Sequence, residues 1–212
     1  MTVKNLNIAD PFFTIKIIKN ENSFFIKEKA IILNLSQNEF KIRSQILYPL
    51  RSIIVNNLLL EKIDHIVLIE KFDKYENEDE LMANIKKAWP SAYDIRKEDR
   101  LKGISHFMSP KQWDGRFGYT VYHSGSVPLN VGLHKDHPFC PDPGFREIHT
   151  QIVGYGKMQQ FQEKNLNSLY AEELMCPGNT HMPMYDENFV YPWHQYETVT
   201  PSVFLAVEIL PT

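Results

Sequence analysis

Imidazoles are concentrated in one part of this chain. Six of its eight histidines lie between His123 and His194. Within that span His134-Lys-Asp136-His137 is followed by Arg146-Glu147-Ile-His149-Thr-Gln151, and the stretch closes with Cys176-Pro177-Gly178-Asn-Thr-His181. Imidazole and carboxylate together are the ligand set for zinc, iron, nickel or manganese. From Glu147 to Phe161 apolar and polar residues alternate, with a break at Gly154-Tyr-Gly156. That pattern predicts a strand, a turn and a second strand. Glu147, His149 and Gln151 then share one face, because side chains alternate across a strand, and a polar pocket lined by sheet is expected there.

Two intervals carry a resemblance. Gly154 follows Glu147 after six residues, and His181 follows the Pro177-Gly178 turn after two. These motifs resemble the two metal-binding motifs of the cupin superfamily, over roughly residues 118–210. The resemblance implies a mainly β fold, a double-stranded β-helix (a small jelly-roll barrel), with a metal at its mouth. It implies His134, His137, Glu147 and His181 as the ligands. The family pair is His-x-His, whereas this chain has two residues between His134 and His137. On a regular strand those two face apart, so a bulge or turn has to intervene. The alternative pairs His134 with Asp136 and completes a His-x-Asp facial triad with His181. His149 is a ligand or a substrate contact.

The elements that would position these groups differ between the halves. Ten of the thirteen prolines fall after residue 100, so the second half is turn-rich and the first is helix-compatible. Phe12 to Ile18, Phe24 to Leu35 and Ile63 to Phe72 read as strands. Ser36-Gln-Asn-Glu39 reads as a capping box opening a helix over Phe40, Ile46, Leu47, Leu50, Ile54 and Leu58, kinked or divided at Pro49. Asn77 to Trp89 reads as a second helix stopped by Pro90. After Phe117 the expected strands are 118–123, 128–136, 146–153, 157–161, 169–175, 194–200 and 202–210, a run that favours a barrel or sandwich. Pro138, Pro141, Pro143 and Gly144 mark an ordered rim loop. The expected organisation is an N-terminal α+β portion, residues 1–105, packed outside a metal-binding barrel, residues 106–212.

Composition narrows the function. With 43% apolar and 12% aromatic residues among 212, the chain can bury a core. A net charge of −3 without a Lys/Arg block argues against nucleic acid as a partner. Two cysteines, Cys140 and Cys176, make no disulfide framework. The first ten residues have no apolar signal core and no stretch reaches transmembrane length, so no membrane is expected and the cytoplasm is the default. The expected activity is that of a metal-dependent, cupin-like enzyme on a small polar molecule. A non-haem iron(II) oxygenase comes first, with zinc, nickel or manganese as other metals. A metal-dependent isomerase or lyase, or a non-catalytic sugar-binding cupin, are the alternatives. His149, His194 and Tyr196 are candidate acids or bases, and Gln151, Tyr185 and Trp193 candidate pocket residues. His65 and His106 read as structural, and a homodimer is an allowed assembly.

Overall fold

The computed structural model describes residues 2–75, 77–128, 132–140 and 144–211. Seven strands fill the first part: β1 (Thr2–Leu6), β2 (Thr14–Ile26), β3 (Ala30–Asn34), β4 (Phe40–Ile42), β5 (Gln45–Leu47), β6 (Ser52–Val55) and β7 (Leu58–Glu70). Helices α1 (Glu78–Ala88) and α2 (Ala92–Arg96) follow. The rest is again β: β8 (His106–Met108), β9 (Gln112–Asp114), β10 (Phe117–Ser124), β11 (Arg146–Val153), β12 (Gly156–Phe161), β13 (Leu169–Met175), β14 (Trp193–Thr198) and β15 (Ser202–Ile209). The chain is mainly β, as its residues predict. Among the described residues no helix is long and apolar enough to cross a membrane.

Strand alternation builds the layers. An N-terminal sheet runs β1-β2-β7-β3-β6, a middle sheet β11-β15-β10-β8, and a third β13-β12-β14. Along β15, Val203, Leu205, Val207 and Ile209 face one way and pack with Ile15, Ile17, Ile31, Leu33, Val67 and Ile69 of the N-terminal sheet. Phe204 and Ala206 face the other way and pack with Met158 and Tyr196 of the third sheet. A strand buried on both faces reads as a continuous apolar run, which is why Ser-Val-Phe-Leu-Ala-Val-Glu-Ile shows no alternation in its sequence. The middle and third sheets face each other as a jelly roll does, with the N-terminal sheet stacked outside. One core cluster joins Leu6 through Trp89 to Tyr119 through Ile209 across residue 105.

Several expected elements differ. No helix begins at Ser36. Asn34, fully buried, accepts hydrogen bonds from the Ser36 backbone N–H (3.0 Å) and hydroxyl (2.7 Å), and its amide donates to the Asn38 and Leu47 carbonyls (2.9 and 3.0 Å). That clamp turns the chain into the β4–β5 hairpin, where Phe40 and Leu47 pair and Phe40, Ile42 and Leu47 join a core cluster with Ile32 and Leu68. Buried side-chain bonds of this kind offer the backbone an alternative to a helix. The two expected N-terminal strands are displaced: β2 runs unbroken through Lys19–Ser23, and β3 begins at Ala30. The second expected helix forms as α1, capped by the Asn77 side chain on the Asp79 and Glu80 N–H groups.

In the second half the strands follow the pattern closely, β11 and β13 with the predicted limits. Gly154 makes the turn after β11 at φ 75°, where a Cβ would collide with the Pro201 carbonyl. The strand expected over 128–136 is a correction. Residues 132–140 carry only a single bridge, His134 to His194, and residues 129–131 lie outside those described, as do Pro141 and Pro143 of the expected rim loop.

Candidate metal centre

The cavity between the middle and third sheets gathers the chemistry. It has a volume of about 60 Å³, and its lining includes His134, His137, Glu147, His149, His194, Arg96 and Arg100. Since residues 132–137 form no regular strand, the two-residue interval no longer sets His134 and His137 on opposite faces. Glu147 and His149 come from the inward face of β11, and His194 from β14.

His134, His137 and His194 each offer a ligand nitrogen within 4.8 Å of the others. The Nε2 atoms of His137 and His194 are 3.2 Å apart. His194 Nδ1 lies 2.9 Å from the Pro192 carbonyl oxygen, and His134 Nδ1 lies 3.1 Å from that of Gly132. A carbonyl only accepts, so in both rings Nδ1 carries the hydrogen and Nε2 keeps its electron pair. Fixing one ring nitrogen against a backbone carbonyl is how metal-binding histidines are held in the right tautomer and orientation. Ligand nitrogens about 2.0–2.1 Å from one ion sit some 3 Å from each other in a compact site; the His137–His194 pair already has that spacing, and His134 lies within 4.8 Å of both.

Glu147 stands beside the cluster, with Oε2 3.8 Å from His137 Nε2 and Oε1 3.5 Å from His149 Nε2. Burial alone would push its carboxyl up. His149, His137 and Arg96 outweigh burial and hold it well below the usual carboxylate range, so Glu147 is an anion at neutral pH. Burial lowers the His194 pKa to about 4, and it also lowers His134 and His137, against Glu147 in the last case. Unprotonated imidazoles are what a cation requires.

His181 is one step away. It is fully buried, its Nδ1 lies 2.7 Å from the Met182 carbonyl oxygen, and its Nε2 accepts from the His149 backbone N–H at 3.0 Å. Both nitrogens are therefore engaged, and His181 Nε2 also faces His149 Nδ1 at 3.3 Å. The ring of His149 sits between an acceptor nitrogen of His181 and the Glu147 carboxylate. Asp136 lies outside the cavity lining, on a neighbouring surface hollow.

Of the other expected pocket residues, Tyr196 lines the cavity, with its hydroxyl donating to Gln151 Oε1 at 2.9 Å. Gln151 is spent on that bond and on the Val153 and Gly154 carbonyls. Trp193 lies on an adjacent surface hollow beneath the amines of Lys135 and Lys164. Tyr185 lies tilted beside Phe189 and edge-on to Tyr191, away from the cavity lining. Sequence reasoning missed Arg96, Arg100 and Phe204, and set His106 aside as structural, although it lines the cavity and meets the Ser124 hydroxyl at 2.9 Å. Phe204 stands in an unbroken apolar run, so no alternation in its sequence marked its inward position. Arg96 and Arg100 stand before the barrel strands and had no motif to mark them.

No family model matches the sequence, and no curated protein matches it. Among solved structures the chain is similar to a "Cupin 2 conserved barrel domain protein" from Leptotrichia buccalis, at 10% identity and TM-score 0.33, over 100% of this chain and 88% of that one. It is similar to AerE from Microcystis aeruginosa at 11% identity and TM-score 0.35, over 99% and 97% of the two chains. A mutant of Bacillus subtilis oxalate decarboxylase gives 10% identity and TM-score 0.37, over 96% of this chain and 70% of the other. Likenesses this distant leave the reading of the site to this chain's own residues.

Proposed function

We propose that this chain is a metal-dependent enzyme acting on a small polar molecule in the cavity between its two facing sheets. The observation that carries the reading is the convergence of His134, His137 and His194 within 4.8 Å, with the outer nitrogens of His134 and His194 tied to backbone carbonyls. These three would hold a divalent ion, with Glu147 as an adjacent fourth ligand. Such a donor set leaves coordination positions for substrate, and the ion would act there as a Lewis acid or redox centre. Three imidazoles with one carboxylate suit iron(II), so an oxygenase is the first reading, and manganese, nickel or zinc suit the same donors.

A second reading is an isomerase or lyase, favoured by His149. Its Nε2 faces the Glu147 carboxylate and its Nδ1 faces an acceptor nitrogen of His181. That is the setting for a group that takes or returns a proton at a substrate atom. A non-catalytic ligand-binding barrel would need neither oxygen nor turnover.

The test is elemental analysis of the purified chain after separate reconstitution with iron, manganese, nickel and zinc, followed by oxygen-uptake measurements on the iron form. About one equivalent of metal, lost in His194→Ala, supports the metal-centre reading. No retained metal under any condition refutes it, and iron loading without oxygen uptake in the presence of candidate substrates moves the assignment to the isomerase or lyase.

A further inference from the structure

One wall of the cavity carries a charge arrangement that the histidines do not explain. Arg96 ends α2, and Arg100 lies in the one-turn 3-10 helix Asp99–Leu101 that follows. Glu98 stands between them. Its Oε1 accepts from Arg96 Nε at 2.5 Å, and its Oε2 accepts from Arg100 Nε and Nη2 at 2.7 and 2.6 Å. Both arginines line the cavity. Arg96 is packed over the Phe139 ring at 5.2 Å, with its Nη1 3.5 Å from the Tyr122 hydroxyl.

Burying two cations costs free energy unless each is paired, and Glu98 neutralises only one. The second positive charge is balanced across the cavity by Glu147. Arg96, Arg100, Glu98 and Glu147 therefore sum to zero, and a divalent ion in the histidine cluster leaves the cavity at +2. A neutral substrate would leave that charge uncompensated, whereas an anion would cancel it. A guanidinium has five donors, and Arg100 spends only two on Glu98. Its planar fork matches a carboxylate in a way a lysine does not.

We infer that the Arg96–Glu98–Arg100 bracket is the recognition element for a small carboxylate substrate, whose carboxylate sits on the free guanidinium donors of Arg100 while the rest of the molecule reaches the histidine cluster. Glu98 acts as a positioning residue that holds both forks toward the cavity. The inference takes its final charge balance from the metal-centre reading, but the bracket stands without it.

The experiment is calorimetric titration of the full chain, metal-free and nickel-loaded, with acetate, malonate and the neutral malonamide. Metal content is measured separately on each sample. Malonate and acetate should bind and malonamide should not, with affinity higher in the nickel form. Arg100→Gln should weaken malonate binding by on the order of tenfold or more, the range for a lost charge-assisted pair. Arg100→Lys, which keeps the charge and loses the fork, should weaken it several-fold and guards against a folding defect in the first variant. If malonamide binds as well as malonate, or no carboxylate binds either form, or both variants match the wild type, the carboxylate assignment is overturned. Nickel loading with Arg100-independent binding sinks this inference and leaves the metal centre standing. Arg100-dependent carboxylate binding without any metal uptake does the reverse.

Discussion

The Nε2 atoms of His137 and His194 lie 3.2 Å apart, although 57 residues separate them in the chain. With His194 Nδ1 committed to the Pro192 carbonyl, its Nε2 keeps an electron pair aimed at His137 Nε2, where the neighbouring N–H or a cation shared by both rings can meet it. The arrangement predicts that His194→Ala abolishes metal retention while circular dichroism and the unfolding midpoint stay near wild type. Full metal content in that variant would remove His194 from the centre.

His181 should behave in the opposite way. Its Nε2 satisfies the backbone N–H of His149, so His181→Ala strands a buried donor. A loss of about 1–3 kcal/mol in urea unfolding is expected, the cost of an unmet buried polar group, with metal content retained. Metal loss without destabilisation would show that His181 is a ligand after all.

The hairpin clamp gives a third prediction. Asn34→Ala removes two donated and two accepted hydrogen bonds from a fully buried side chain. Denaturant unfolding should show a loss of at least 2 kcal/mol, roughly two net hydrogen bonds with their stranded partners. A change below about 0.5 kcal/mol would mean that the hairpin holds without the clamp.

These two residues also show what was legible from sequence. Short-range alternation marked β11 and β12, where polar and apolar residues take opposite faces, while β15 was legible as an unbroken apolar run. The capping-box reading at Ser36 failed because the deciding bonds come from Asn34, a residue outside the motif. Glu147 and the pair His134 and His137 stand together at the cavity, as their clustering suggested. His194 and His181 are both late in the chain and both follow a proline by a few residues, and the tertiary hydrogen bonds of each ring separate their surroundings. Arg96 reaches the cavity from α2, which packs on β8, and Arg100 from the 3-10 helix after it, and no local pattern announces either.

His65 offers a test by pH, remote from the metal cluster. It is buried edge-on against Phe117, with ring centroids 4.7 Å apart. Burial, then Lys19, lowers its pKa to about 4, with Asp114 opposing them. In the unfolded chain the same imidazole titrates near 6.5. Below that pH the unfolded state takes up a proton that the folded state refuses, so stability is intact above about 6.5 and declines as pH falls toward 4. Urea midpoints at pH 7 and pH 5 should therefore differ less in His65→Gln than in the wild type, by on the order of 1 kcal/mol. An identical pH loss in both proteins would mean that His65 titrates normally when folded.

The double-faced strand β15 has a consequence for how this protein can change. Leu205 and Val207 face the N-terminal sheet while Phe204 and Ala206 face the cavity side, one residue apart. Deleting a single residue within β15 would exchange the two sets, presenting Leu205 to the cavity and sending Phe204 into the apolar stack. The chamber and the scaffold behind it are thus two readings of one stretch of chain. Variation that adapts the chamber to a new substrate has to proceed by substitution at alternate positions, and insertions or deletions are confined to the turns.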